Sequence, residues 1–462
     1  MKLRIPFLGT VLLALAGCGS DSDMALGELP AAGRGPGMAT VLRIPAQGGI
    51  PQLYRLPGLD SSSWKSEDKL PPVERAVGAD AELGLVFLLD RKRNVLALDL
   101  ETRRIRSQLE QVRYATVGPD GVLYTVDTGS TVTQLVRRAP VRFRSKLQGK
   151  PAELHGTMAG TLVARLEGKS PALETLGSDQ PPESVPIPDG PLVTSLWGDL
   201  VAVAADSAVV LYETQGKHER RSLPVAGRAR AVLFSPSGHR LYVARDRESL
   251  LVLDRFSGDE LQEIELPGPA SGLRGDAYGQ WILVRPVAGD SAWVVDVGAG
   301  RYTGTVQVEW DEELPAVVPP GGLLTRRGDD IVALDLAAEG FPERGRVEKG
   351  AKDTWLPLAW HPSQDQEAIA LTDTAALAAD SLGPAASVYL QVSSSQNPAW
   401  AEELSQKLRT AGLPASVLKP RRSDEAYRVV LGPYATREQA EETGRRIGMP
   451  SFVVTGQDAP SR

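Results

Sequence analysis

The sequence predicts a multidomain protein: an all-β propeller of seven or eight four-stranded blades, followed by a small α+β unit of βαββαβ order. Three observations carry this reading. Short apolar β-runs end at or near Asp99, Val136, Glu174, Glu213, Asp254, Asp296 and Asp335, about 37 to 42 residues apart, the length of one propeller blade. Gly (46) and Pro (35) punctuate the chain into many short elements. Beyond residue 387 the texture changes from β-runs alone to strand–helix alternation.

The repeat is clearest at "ARAVLFSPSGHRLYVARDRESLLVLDRFSGDELQEIELPG" (229–268), which holds strand candidates at 231–234, 241–244, 250–254 and 261–266. The intervening Ser-Pro-Ser-Gly, Asp-Arg-Glu-Ser and Phe-Ser-Gly-Asp segments have the chemistry of tight turns in an antiparallel meander. Second strands recur in register as "LVFLLD", "VLYTVD", "TLVARL", "LVAVAAD", "RLYVARD", "WILVRP" and "GLLTRR". The propeller spans 38–373. Residues 353–373 read as the first two strands of a further blade and 39–58 as its last two, so that the termini close the ring and remove its unpaired edges. Seven blades with loose extensions is the alternative. "LFSPSGHRLYVA" and "LVLDRFSGDELQEI" resemble the YVTN/WD40-like group of β-propellers, without the Gly-His and Trp-Asp landmarks of WD40 repeats.

The N-terminus has its own layout. Lys2 and Arg4 precede an apolar stretch, Ile5–Ala16, too short to span a bilayer. Leu15-Ala16-Gly17-Cys18 follows and resembles the lipobox of a bacterial lipoprotein signal. The resemblance implies a signal peptide over 1–17, lipidation of Cys18 and membrane anchoring through acyl chains. Cys18 is the single cysteine of the chain, so no internal disulfide can form. Gly19 after it implies sorting to the outer membrane, with the protein facing the periplasm. Residues 18–37 are small, polar and Gly/Pro-rich, a flexible tether.

Composition excludes some functions. The net charge of -7 and an aromatic content of 5% argue against a nucleic-acid partner. Four scattered histidines lack metal-ligand spacing, so no metal and no cofactor is expected. In the propeller, Asp90, Asp127, Asp206, Asp246 and Asp276 are the carboxylates to weigh for catalysis, but the first four follow second-strand runs, where Asp caps turns. No catalytic residue is assigned. The propeller reads as an interaction scaffold.

Residues 374–386 are an Ala/Ser/Gly-rich linker. In "SVYLQVSSS" (387–395), Val388, Leu390 and Val392 alternate with Tyr389, Gln391 and Ser393, giving one apolar and one polar face. "NPAWAEELSQKLRTAG" (397–412) is a helix with Asn397 at the cap, Pro398 at the first position and a Trp400, Leu404, Leu408 stripe. Strands follow at 414–419 and 426–432, then a helix over 436–448 capped by Thr436, then a strand at 451–456. Both helices fall on one side of the sheet, leaving the other face open.

The order "YLQVSSSQNPAWAEELSQKLRTAG…YRVVLGPYATREQA" resembles the SPOR domain, over 387–457. Tyr427, Arg428, Val429, Gly432, Pro433, Tyr434 and Ala440 match the second half of its pattern. Ser393 and Ser395 depart from the usual Gly and Phe. The resemblance implies binding of peptidoglycan glycan strands stripped of stem peptides, as found at division septa, with Gln391, Ser394 and Arg428 at glycan-contacting positions. Tyr389 and Ser393 extend the same polar face. Aromatic, amide and hydroxyl groups suit a neutral sugar chain. With nine Lys/Arg and seven Asp/Glu in 387–457, the unit is slightly basic and not repelled by an anionic wall. The combined expectation is a non-enzymatic envelope lipoprotein that links membrane to wall, with envelope or divisome proteins as possible partners of the propeller. The alternatives are a propeller glycan hydrolase or lyase targeted to the wall, and an outer-membrane assembly scaffold.

Overall fold

A computed structural model describes residues 40–360 and 388–454, apart from 81–82, 137–138, 158–159, 169, 178–181, 197, 215–219, 277–278, 319–320, 359, 396–397, 411–412, 420–426, 437–438, 441–442 and 445–451. The signal, Cys18, the tether and the 374–386 linker lie outside these residues.

Nine four-stranded antiparallel sheets form among the described residues, eight of them propeller blades. Seven are continuous meanders: 73–109, 112–146, 151–186, 192–224, 229–265, 270–307 and 316–347, here blades 1 to 7. First strands of neighbouring blades touch around the ring; Val112–Val117 lies against both Val73–Asp80 and Pro151–Gly156. The runs ending near Asp99 to Asp335 are the third strands of blades 1 to 7 in order. In blade 3 that strand runs on to Leu176, which leaves Glu174 buried mid-strand, its carboxyl pushed up by desolvation while it accepts the Gln148 N–H.

Second and third strands are sandwiched between neighbouring blades, so both of their faces are apolar. All six residues of Leu85–Asp90 are buried. Each of the eight junctions between blades holds one hydrophobic cluster. Between blades 5 and 6, for example, Tyr242, Leu250 and Val252 pack on Ile282, Trp293 and Val295. Outer strands meet solvent and read polar: Glu260–Glu265 buries only Ile264.

The turn between first and second strand uses one device throughout. Gly84, Gly121, Gly160, Gly198, Gly238, Gly279 and Gly321 all have φ between 62° and 76°, a region nearly closed to residues with a Cβ. In blade 5, Gly238 N donates to Ser235 O at 2.8 Å, and Ser235 Oγ accepts the Arg240 N–H at 3.0 Å.

Blade 8 closes the ring from both ends, in a different split from the expected two-plus-two. Thr40–Ile44, Gln52–Arg55 and Asp60–Lys65 supply its three outer strands, and Thr354–Leu358 alone supplies the innermost. Asp60–Lys65 ("DSSSWK") escaped the sequence reading because only Trp64 is buried in it, so it has no apolar run. The place beside Thr354–Leu358 is filled by Thr40–Ile44; the part of 353–373 beyond residue 360, where the second C-terminal strand was expected, lies outside the described residues.

Beyond the propeller, the C-terminal unit orders its strands Ala415–Leu418, Tyr427–Tyr434, Val388–Ser395, Phe452–Val454. The helix Pro398–Thr410 buries Ala401, Leu404 and Leu408 against Val388, Leu390, Val392, Val429 and Leu431. Thr436 caps the second helix as expected, its Oγ1 accepting the Gln439 N–H at 3.2 Å.

Candidate functional site

The sheet of the C-terminal unit has two faces, and cross-strand register assigns residues to them. Directly paired residues share a face. Leu390 pairs with Leu431 and belongs to the helix-side core. Gln391 pairs with Val430 on one side and Phe452 on the other, and Tyr389 pairs with Val454. These define the face away from the helices.

Strict alternation fails between Gln391 and Ser393. A β-bulge there sets Ser393 across from Val429 and Ser394 across from Arg428. One extra residue inverts the phase of the strand beyond it. Ser393, expected beside Gln391, is therefore on the helix side, fully buried. Ser394 takes its place on the Gln391 face, at the register position of Arg428. Tyr389, Gln391 and Arg428 share this face through the Gln391–Val430 register, and the bulge adds position 394 to it and removes Ser393. Arg428 and Tyr389 are partly exposed.

That face is not open in the way the first strand's alternation suggested. Gln391 and Val430 have no exposed surface, and Leu418 and Val454 are nearly covered. Three of these four are apolar, so their exposure would be unfavourable. The expectation weighed the polar residues Tyr389, Gln391, Ser393 and Arg428 and gave no weight to the apolar Leu418, Val430 and Val454 on the same face. Both amide atoms of Gln391 lack a hydrogen-bond partner among the described residues, as do Ser393 Oγ and Ser405 Oγ. An unpartnered buried amide is costly, and it is also a ready donor–acceptor pair.

The propeller carboxylates are engaged locally. Asp90 Oδ1 accepts the N–H groups of Lys92 and Asn94, each at 2.8 Å. Asp127 Oδ1 accepts from Gly129 and Thr131. Asp206 faces Arg228 at 3.2 Å, and Asp246 pairs with Arg230. Asp276 stands apart: it caps the blade 6 turn, accepting the Gln280 N–H at 2.7 Å, and desolvation pushes its carboxyl up to about 7 against those hydrogen bonds. Among the described residues no group of three or more His, Cys, Asp or Glu is placed to hold a metal ion, and no helix is long and apolar enough to cross a membrane.

Comparison with known proteins follows the same division. Residues 384–455 match the family model of the SPOR domain. Among solved structures, AztD of Citrobacter koseri is similar in fold, with a TM-score of 0.52 at 12% identity, covering 70% of this chain and 98% of AztD. Apo AztD from the same organism gives 0.50 at 13% identity, with the same coverage. No curated protein sequence matches the chain. The chain therefore carries a SPOR domain at its C-terminal end, preceded by an eight-bladed β-propeller.

Proposed function

We propose that this protein is a cell-envelope lipoprotein that binds peptidoglycan glycan strands through its SPOR domain, with the propeller as a docking scaffold for envelope or divisome proteins. One observation carries the reading: within the segment that matches the SPOR family, Gln391 pairs with Val430, which puts Arg428, two positions along the same strand, on the Gln391 face. The Gln391 amide, buried and unpartnered among the described residues, holds two donors and an acceptor that suit sugar hydroxyl and acetamido groups once glycan displaces what covers it. Arg428 adds a donor fork, Tyr389 a flat apolar surface for a pyranose ring, and Ser394 a hydroxyl. Denuded septal glycan is the preferred form, because among the described residues this face presents no carboxylate or extra basic cluster for stem peptides. Cys18 anchors the chain, residues 18–37 tether it, and 374–386 link the propeller to the wall-binding unit.

The experiment is co-sedimentation of the full chain, in detergent, with purified sacculi before and after amidase stripping. Pelleting that rises after stripping, and falls with Gln391→Ala plus Arg428→Ala, is expected. No pelleting with either preparation, or pelleting indifferent to the double substitution, sinks the reading.

A further inference from the structure

Blade 6 carries two arginines on one face. Gly272 and Arg285 are cross-strand partners, and Arg274 lies two positions beyond Gly272 on the same strand. This face turns toward blade 7, where Leu283, the partner of Arg274, packs with Leu323 and Val332. Trp310, in the connection between the two blades, stands beside both guanidinium groups, its ring centroid 5.1 Å from Arg274 Cζ and 5.7 Å from Arg285 Cζ. The indole Nε1 donates to Ser291 O at 2.8 Å, which holds the ring. Gly272 leaves room for the stem of Arg285: a Cβ at 272 would stand 3.4 Å from the Arg285 Cβ.

Neither Arg274 nor Arg285 is in an ion pair among the described residues. Arg274 is partly buried and donates to Pro315 O at 3.1 Å and to Asp311 O, both carbonyls. The Asp311 carboxylate is engaged elsewhere, with Arg326 and the N–H groups of Glu313 and Leu314. Arg285 is exposed and its side chain makes no hydrogen bond or ion pair among the described residues. Burial, and then the charge of Arg285, hold the Arg274 guanidinium below its usual range. Cation–π contact returns only about 0.5–1 kcal/mol at such a site. The unengaged fork of Arg285, beside the donors that Arg274 keeps beyond its two carbonyl contacts, suits an oxyanion.

We propose that Arg274, Arg285 and Trp310 form a binding subsite for an oxyanion, a carboxylate or phosphate group, at the junction of blades 6 and 7. It is separate from the SPOR domain and does not rest on glycan binding. The test is calorimetric titration of the full chain with pyrophosphate and, separately, with citrate, at ionic strength matched by NaCl. Arg285→Gln and Arg274→Gln are compared with the wild type. At least one anion is expected to bind, and loss of one charge-assisted contact is expected to weaken it by about tenfold or more. Binding of pyrophosphate assigns a phosphate ligand, and binding of citrate a carboxylate one. Arg274→Gln also removes two contacts to the 311–315 loop, so Arg285→Gln, at an exposed position, is the decisive variant. At low salt its melting temperature should equal or exceed that of the wild type, because a like-charge neighbour is gone, while the anion-induced rise in melting temperature is lost. Absence of binding by either anion, binding unchanged in Arg285→Gln, or a thermal shift reproduced by NaCl alone overturns the proposal.

Discussion

Arg43 Nε donates to Asp353 Oδ2 at 2.6 Å, joining residues 310 positions apart in the chain. Asp353 Oδ1 also accepts the Ala46 N–H at 3.0 Å. Both partners are largely covered, so solvent screens the pair little. This contact latches the N-terminal strand of blade 8 to the start of its innermost, C-terminal strand. Asp353→Ala should destabilise the propeller by about 2 kcal/mol, the loss of one ionic and one charge–amide hydrogen bond. Urea unfolding followed by tryptophan fluorescence measures it. An unchanged midpoint would mean that the ring is held by the Thr40–Ile44 pairing and its apolar cluster alone.

The turn glycines separate backbone strain from crowding. At Gly160 (φ 71°) a Cβ would meet nothing within 4 Å, whereas at Gly198 (φ 72°) it would stand 2.1 Å from Thr157 Cβ. Gly160→Ala should cost about 1–2 kcal/mol, the left-handed penalty alone. Gly198→Ala should cost at least about 3 kcal/mol, since overpacking is added to it. Equal midpoints in denaturant titration would contradict this division.

Asp276 predicts a pH dependence. Its folded carboxyl titrates at about 7, above the ordinary value of 3.8. Between those two values the folded state holds a proton that the unfolded state has released. Stability from this group is therefore full below pH 4 and declines as pH rises toward 7, by at most about 1.4 kcal/mol per pH unit. Asp276→Asn keeps an oxygen acceptor for the Gln280 N–H and has no charge to bury. It should match the wild type at pH 4, exceed it at pH 8, and show a flatter melting-temperature profile. Parallel profiles for the two proteins would refute the assignment.

Ser393 and Gln391 should respond in opposite ways. Ser393 lies on the helix side with an unpartnered hydroxyl. Ser393→Ala should raise stability by about 1 kcal/mol, by removing a buried polar group that makes no bond, and should leave sacculus binding intact. Gln391→Ala should abolish binding without unfolding the unit. Chemical denaturation and co-sedimentation on the same samples check both. Loss of binding in Ser393→Ala would restore simple alternation along the strand.

Much of the fold was legible because its signals are local. The spacing of third strands, the Gly- and Asp-bearing turns and the Leu404/Leu408 stripe each depend on neighbours a few residues away, and each element stands where the sequence placed it. Gln391 and Arg428 were legible as candidates through the SPOR pattern. Three features were not, and each depends on partners distant in the chain. The split of blade 8 is decided by which strand pairs with Thr354–Leu358, a contact across the whole ring. The face of Ser393 is decided by a bulge against Tyr427–Tyr434, and period-two alternation cannot reveal which of two residues will be left unpaired. The Arg274–Trp310–Arg285 cluster joins three positions that carry no shared motif. The sequence by itself determined the repeat, the turns and the residue types on each strand. Tertiary pairing decided closure, phase and proximity, because hydrogen-bond register between distant strands, not the local pattern, sets which side chains meet.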